Sequence, residues 1–265
     1  MANRASAIEF VRANGNAVEQ ARLQVLWGNC PALDVVLKEI ADRQRQDGSF
    51  APFWDAGAHS LDATCYHLAV LEQLGVTEGQ IVERARTFLW SRRQEDGSFQ
   101  EDETYSAIAP PWAKPGVLEA TLYLTSNAGF WLATAARDDE RLTASAHFLV
   151  DHLGQDGRFP TYFHAHWLAA GFLFGVGEIE CANALLAGLE QRLAILEASQ
   201  LAWMVNALCL HGVSRDHTLV DAAVRRLMNL QQADGRFASE DGTWQDVHTT
   251  LEALRALQGI GAWDA

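Results

Sequence analysis

The side chains able to do chemistry in this chain gather at the starts of helices. Ser60-Leu61-Asp62-Ala63-Thr64-Cys65 sets a lone carboxylate where an apolar helix begins. Glu119, His164, His166, Asp246 and His248 stand at comparable places further along, and His59 just precedes the first. A helix N-terminus exposes N–H donors and favours negative charge, so Asp followed by Thr is a good opening turn on structural grounds alone. The same residue types permit metal chemistry: Asp62, His164, His166, Asp246 and His248 would qualify as zinc or iron ligands if the fold made them converge. His-x-His on a helix points its two rings to different sides, which counts against His164 and His166 as a pair. No Ser/His/Asp or Cys/His order, phosphate-binding loop or dinucleotide fingerprint is present.

The elements that must position these groups are helices. Apolar residues recur at helical spacing throughout, and no stretch alternates like a strand. The spacing predicts pairs at 4–13 and 16–27, 32–45 and 60–74, 80–93 and 118–136, 138–153 and 162–174, 181–193 and 199–210, and 219–230 and 246–257. Pro31 restarts the chain after the first pair. In 32–45, Leu33, Val36, Leu37 and Ile40 line one side, with Lys38, Glu39 and Asp42 opposite, a one-faced helix. The second helix of each pair is apolar nearly all round. A turn recurs between partners: Asp47-Gly48-Ser49-Phe50, Asp96-Gly97-Ser98-Phe99, Asp156-Gly157-Arg158-Phe159 and Asp234-Gly235-Arg236-Phe237, while the first pair breaks at Asn14-Gly15 and the fifth lacks the turn. Gly permits a tight turn with positive φ, Asp can bond nearby N–H groups, and Phe anchors the turn.

A repeated hairpin with one half-wet and one enclosed helix is the mark of a repeat array. The expected architecture is all-α: a single (α/α)6 toroid of about six helical hairpins, one domain over residues 1–265. Its inner helices would all begin on one face, sharing a rim of His59, Asp62, Glu119, His164, His166, Asp246 and His248. An aromatic lining below would come from Tyr66, Phe130, Trp131, Phe163, Trp167, Trp203 and Trp244.

With 265 residues, 49% of them hydrophobic and 20% charged, the chain has ample material for a core. A formal net charge of −14 argues against nucleic acid or an anionic membrane as the main partner. Cys30, Cys65, Cys181 and Cys209 form no CxxC pair and read as reduced, buried thiols. The N-terminus MANRASAIEFVRANG lacks the apolar core of a signal peptide. The longest apolar run, 167–177, is too short to cross a bilayer. The expected location is the cytoplasm, with no integral membrane segment. The acidic stretch Glu95-Asp96 to Glu101-Asp102-Glu103 reads as solvated surface; Mg²⁺ would enter there only with a diphosphate substrate.

Gln44-x-x-Asp47-Gly48-Ser49-Phe50, Gln94-x-Asp96-Gly97-Ser98-Phe99 and Gln231-x-x-Asp234-Gly235-Arg236-Phe237 resemble the QW repeats of squalene–hopene and oxidosqualene cyclases, with Phe in place of Trp. Related turns occur in protein prenyltransferase β subunits. Ser60-Leu61-Asp62-Ala63-Thr64-Cys65 is similar to the acid motif of proton-initiated (class II) terpene cyclases, Asp-x-Asp-Asp-Thr-Ala in bacterial enzymes and Asp-Cys-Thr-Ala-Glu in oxidosqualene cyclases. Asp62 matches the proton-donating Asp and Thr64 the Thr, while Ser60 and Ala63 replace the flanking acids.

The likeness implies a small apolar prenyl substrate, no cofactor or metal, and Asp62 as general acid. Protonating an alkene needs a carboxylic acid that is neutral yet strongly acidic in a dry site. Aromatic faces would then stabilise the carbocation. His248, His164 or His166 would orient Asp62 and return protons, with Asp246 completing the catalytic set. Substrate would meet Tyr66, Phe130, Trp131, Phe163, His164, Trp167, Trp203 and Trp244. Class II cyclases usually enclose substrate between two toroids, whereas this chain supplies one. It would therefore use its own cavity, take a small substrate, or borrow a wall from a second copy as a homodimer.

Two alternatives stand beside this reading. Gln245-Asp246-Val247-His248-Thr249 is similar to the segment bearing the zinc histidine of protein prenyltransferase β subunits, which makes His248 and the rim acids a metal set. The remaining option is a non-catalytic toroid that binds an apolar ligand or a peptide.

Overall fold

The computed structural model describes residues 2–28 and 33–264. Cys30, Pro31 and Ala32 lie outside the described residues. Twelve α-helices fill the described chain: α1 (Arg4–Asn14), α2 (Ala17–Leu26), α3 (Leu33–Arg43), α4 (Leu61–Gln73), α5 (Gln80–Ser91), α6 (Leu118–Ala133), α7 (Arg141–His152), α8 (His164–Gly175), α9 (Ile179–Glu190), α10 (Ala198–Leu210), α11 (Thr218–Asn229) and α12 (Asp246–Gly259). Among the described residues, extended pairing is confined to isolated bridges beside three of the turns. No described helix is long and apolar enough to cross a membrane. The all-α class and the six pairs expected from periodicity are both present.

The chain divides into two compact units, residues 37–188 and residues 1–36 with 189–265. In the first, α6 packs against α4 and α8, with α5 and α7 outside them. Burial follows the sequence pattern: α6 is buried along nearly its whole length, whereas α5 buries only Val82, Ala85, Phe88 and Leu89. In the second unit α12 packs against α10 and α2, with α11 and α1 on the outer side. Of the cysteines expected to be buried, Cys65 is, while Cys181 and Cys209 are only partly covered. Both of the latter sit on the wetter stretches of their helices.

The turns explain the spacing of the pairs. In each, the Phe is buried and its backbone N–H donates into the following helix: Phe50 to Thr64 Oγ1 (3.1 Å), Phe99 to Thr125 Oγ1 (2.9 Å), Phe159 to His166 Nε2 (3.1 Å) and Phe237 to Thr250 Oγ1 (3.0 Å). The Gly lets the turn lie flat on the next outer helix. Gly48 has φ +93° and a Cβ there would overlap the Arg84 carbonyl of α5; Gly235 has φ +92° and would overlap Ser6 of α1. An L side chain is doubly excluded at such a position.

The glutamines divide differently from the sequence motif. Gln44 Nε2 donates to the Gly48 and Ile81 carbonyls and Gln231 Nε2 to those of Gly235 and Asn3, so each ties its turn to a neighbouring outer helix. Gln94 is the counterpart of Arg45, not of Gln44. Its N–H bonds the Ser98 carbonyl as Arg45 N–H bonds that of Ser49, and its side chain reaches only the Arg92 carbonyl.

Candidate active site

The register set by the turns places four side chains in equivalent positions. Two residues before Thr64, Thr125, His166 and Thr250 stand Asp62, Tyr123, His164 and His248. In the 37–188 unit this brings Asp62 of α4 against α6. Asp62 Oδ1 accepts the Tyr123 hydroxyl at 2.9 Å and Asn127 Nδ2 at 3.2 Å, and Oδ2 accepts Trp112 Nε1 at 3.2 Å. Tyr123 and Asn127 are one helical turn apart on the same face of α6. Trp112 comes from the insert between the second turn and α6, in a short 3₁₀ segment begun by Pro111. Asp62 is packed among these side chains yet keeps a partly accessible face.

All three donors to Asp62 are neutral. Burial pushes its carboxyl above the ordinary aspartate range, opposed by the bonds from Tyr123, Trp112 and Asn127. Burial outweighs them, so the neutral acid is favoured. The bonds still matter, because they strengthen as negative charge appears on the oxygens. Oδ2 receives one donor where Oδ1 receives two, which makes Oδ2 the better seat for a proton. The Tyr123 and Cys65 groups nearby are pushed well above their ordinary values, first by burial and then by the Asp62 charge. Both remain neutral beside it.

A second carboxylate completes the site, and it overturns an expectation. Glu101, read from the sequence as solvated surface, is 3% exposed and caps α4. It accepts Ser60 Oγ at 2.6 Å, Leu61 N–H at 2.8 Å and Asp62 N–H at 3.1 Å. Ser60 Oγ in turn accepts Ala63 N–H at 3.1 Å. The first turn of α4 is thus satisfied by Glu101 and Ser60, and not by the Asp62 side chain. The next residue, Asp102, pairs with Arg92 at 2.8 Å and is held near 2, chiefly by its Thr104 and Arg92 bonds.

The other rim groups are placed as follows. His59 bonds Asp47 and Ser49 of its own turn, and its backbone N–H donates to the Tyr105 hydroxyl. His166 is 4% exposed, accepts the Phe159 N–H at Nε2 and meets the Phe163 carbonyl at Nδ1, so it takes the place of the turn-holding threonines. His164 lies edge-on to Trp167 at 5.1 Å, and Phe163 packs on both His166 and Trp167. Phe130, Trp131 and Trp167 are core residues, at 1%, 8% and 0% exposure. Tyr66, one turn beyond Asp62 on α4, is half exposed.

In the other unit, Asp246 is buried, accepts Ser239 N–H at 2.8 Å and faces Arg236 at 3.2 Å. Trp203 is partly covered, and Trp244, expected to line a cavity, is 75% exposed. His248 Nδ1 lies 3.2 Å from Arg22, whose guanidinium also bonds Glu252 at 2.8 Å. Burial first, and then Arg22, depress His248 to about 4, with Glu252 opposing. It is a neutral imidazole at neutral pH. Among the described residues, no three of the His, Cys, Asp and Glu side chains are grouped to hold a metal ion. The convergence that a metal set needs is therefore not seen there.

No protein-family model matches the chain, and no curated protein matches it by sequence. Solved structures do match. A protein from Actinoplanes aligns with a TM-score of 0.63 at 16% identity, covering 98% of this chain and all of the other. The type II terpene cyclase MstE from Scytonema, without ligand, aligns at 0.66 and 14% identity, over 98% of this chain and 97% of its own. A variant of that enzyme holding geranylgeranyl dihydroxybenzoate, its substrate, aligns at 0.64 and 13% identity, over 98% and 96%. Over nearly its whole length this chain shares the fold of a type II terpene cyclase.

Proposed function

We propose that this protein is a proton-initiated terpene cyclase with Asp62 as its general acid. One observation carries the reading: a largely covered carboxyl at the first turn of α4 is held by three neutral donors and, among the described residues, by no cation. Burial favours the protonated form of a carboxyl so placed, and the three donors stabilise its conjugate base as soon as the proton leaves. Both properties are required to protonate an alkene. Asp62 Oδ2 would deliver its proton to a terminal double bond, leaving a carbocation that an internal double bond attacks to form a ring. A final deprotonation returns one proton, so the cyclisation is an isomerisation and needs no external reagent. The substrate class is a prenyl chain, and the prenylated aromatic carried by MstE is the first compound to try. Trp112, Tyr123 and Tyr66 offer aromatic faces next to the acid.

The test is incubation with geranylgeranyl diphosphate and with geranylgeranyl dihydroxybenzoate, products being followed by mass-resolved chromatography. A cyclised isomer is expected from one of them. Asp62→Asn should lower its rate by about 10²–10⁴-fold, the usual worth of a positioned acid. Full activity in Asp62→Asn removes the assignment.

A further inference from the structure

The proposed cyclase chemistry leaves Glu101 unexplained. It is a glutamate at 3% exposure, contributed by a loop about forty residues away from the helix it caps. Ser60 accepts only the Ala63 N–H as an N-cap, which leaves the Leu61 and Asp62 N–H groups to Glu101. What Glu101 adds is a full-length carboxylate reaching three donors at once, and one of these is the backbone N–H of Asp62 itself.

We propose that Glu101 is the positioning residue for the Asp62 carboxyl, clamping the turn that carries it and holding the negative charge of the pair. This rests on Asp62 being the acid. The geometry points to Glu101 for the charge: beside Ser60 Oγ–H, two of its three donors are the backbone N–H groups of Leu61 and Asp62 that open α4. The N-terminus of α4 favours the same charge. Asp62 also has three neutral donors, but all of them are side chains, and a carboxylate lies near it. Two acids close together divide their protons according to such differences.

The remaining titratable groups around the pair do not compete. Cys65 of α4 and Tyr123 of α6 stay neutral, and Arg92, at the C-terminal cap of α5, is taken by Asp102. Burial, with a smaller push from the Asp62 charge, lifts Glu101 to about 7 against its three bonds. The clamp accordingly tightens as Glu101 ionises around neutral pH.

The experiment is a ¹³C carboxyl NMR titration of Asp62 and Glu101 in the full-length protein, paired with kinetics on whichever prenyl compound is turned over. In Glu101→Gln the Asp62 midpoint should fall by about one pH unit, since a nearby charge is gone. Turnover should drop about ten- to a hundredfold with KM nearly unchanged, as expected for a misplaced acid. The limb of the pH–rate profile near neutrality should also vanish. Glu101→Asp, which keeps the charge on a shorter arm, should retain a high Asp62 midpoint while still losing turnover, and it serves if the Gln variant does not fold.

An unchanged Asp62 midpoint with unchanged turnover in Glu101→Gln overturns the proposal. If instead Asp62→Asn is fully active, the cyclase assignment falls, while the titration still decides whether the two carboxyls are coupled.

Discussion

Two carboxyl groups on inner helices, the partly covered Asp62 in the 37–188 unit and the buried Glu252 in the other, have opposite partners. Glu252 accepts the Arg22 guanidinium at 2.8 Å and Asn206 Nδ2 at 2.7 Å, with the ion pair almost fully enclosed. Asp62 receives a phenol, an amide and an indole and, among the described residues, no cation. A guanidinium fixes its partner as a charge and turns the pair into a joint between helices, here α2 and α12. Neutral donors leave the proton in place and lower the energy of losing it only when it goes. Burial by itself therefore identifies no catalytic acid; the charge type of the partners does.

The contrast can be broken from either side. Glu252→Ala strands the Arg22 charge inside the protein and should destabilise it by about 3–5 kcal/mol, read from urea unfolding. Turnover per folded molecule should barely change. Asp62→Asn should do the reverse, losing activity without losing the fold. If Glu252→Ala proved stable but inactive, the division of labour between the two carboxylates would be wrong. Tyr123→Phe is milder. A hydrogen bond to a forming carboxylate is worth about 1.5–3 kcal/mol, so turnover should fall roughly ten- to a hundredfold with a small change in stability. An unaltered rate there would show that the phenol does not support Asp62.

The parts of this arrangement that could be read from sequence are those made by neighbours along the chain. The four Asp-Gly turns, the one-faced outer helices and Asp62 at the opening of α4 are all local patterns, and all twelve helices fall where periodicity puts them. Tyr123 was within reach. It precedes Thr125 as Asp62 precedes Thr64, and aligning the turns by their Phe residues reveals the equivalence. Trp112 and Glu101 were not, because a Pro-rich insert folds back over a helix start 50 and about 40 residues earlier, and no period records that contact. An Asp- and Glu-rich stretch looks solvated until one of its members meets three donors. His166 shows the converse pattern: a histidine at a helix start looks reactive, and here its ring nitrogens meet the Phe159 N–H of the turn and the Phe163 carbonyl at the helix cap.

The smallest effect expected is also the one that separates the two units by pH. Asp62 has its folded pKa raised by burial, and so has Glu101, to about 7. For a raised carboxyl the folded state holds more protons than the unfolded one, so stability declines as pH rises from about 4 through the folded value and then levels off. His248 behaves oppositely. Its folded pKa is depressed to about 4 from an ordinary 6.5, so the unfolded state binds the extra proton across that window. Stability is then full above about 6.5 and declines as pH falls toward 4. With 31% of the His248 side chain accessible, solvent screening keeps this contribution modest. Thermal unfolding followed from pH 4 to 8 should show Asp62→Asn gaining on the parent protein as pH rises, and His248→Gln gaining as pH falls. Parallel curves for Asp62→Asn and the parent would mean that Asp62 is ionised in the folded protein, and a general acid cannot be.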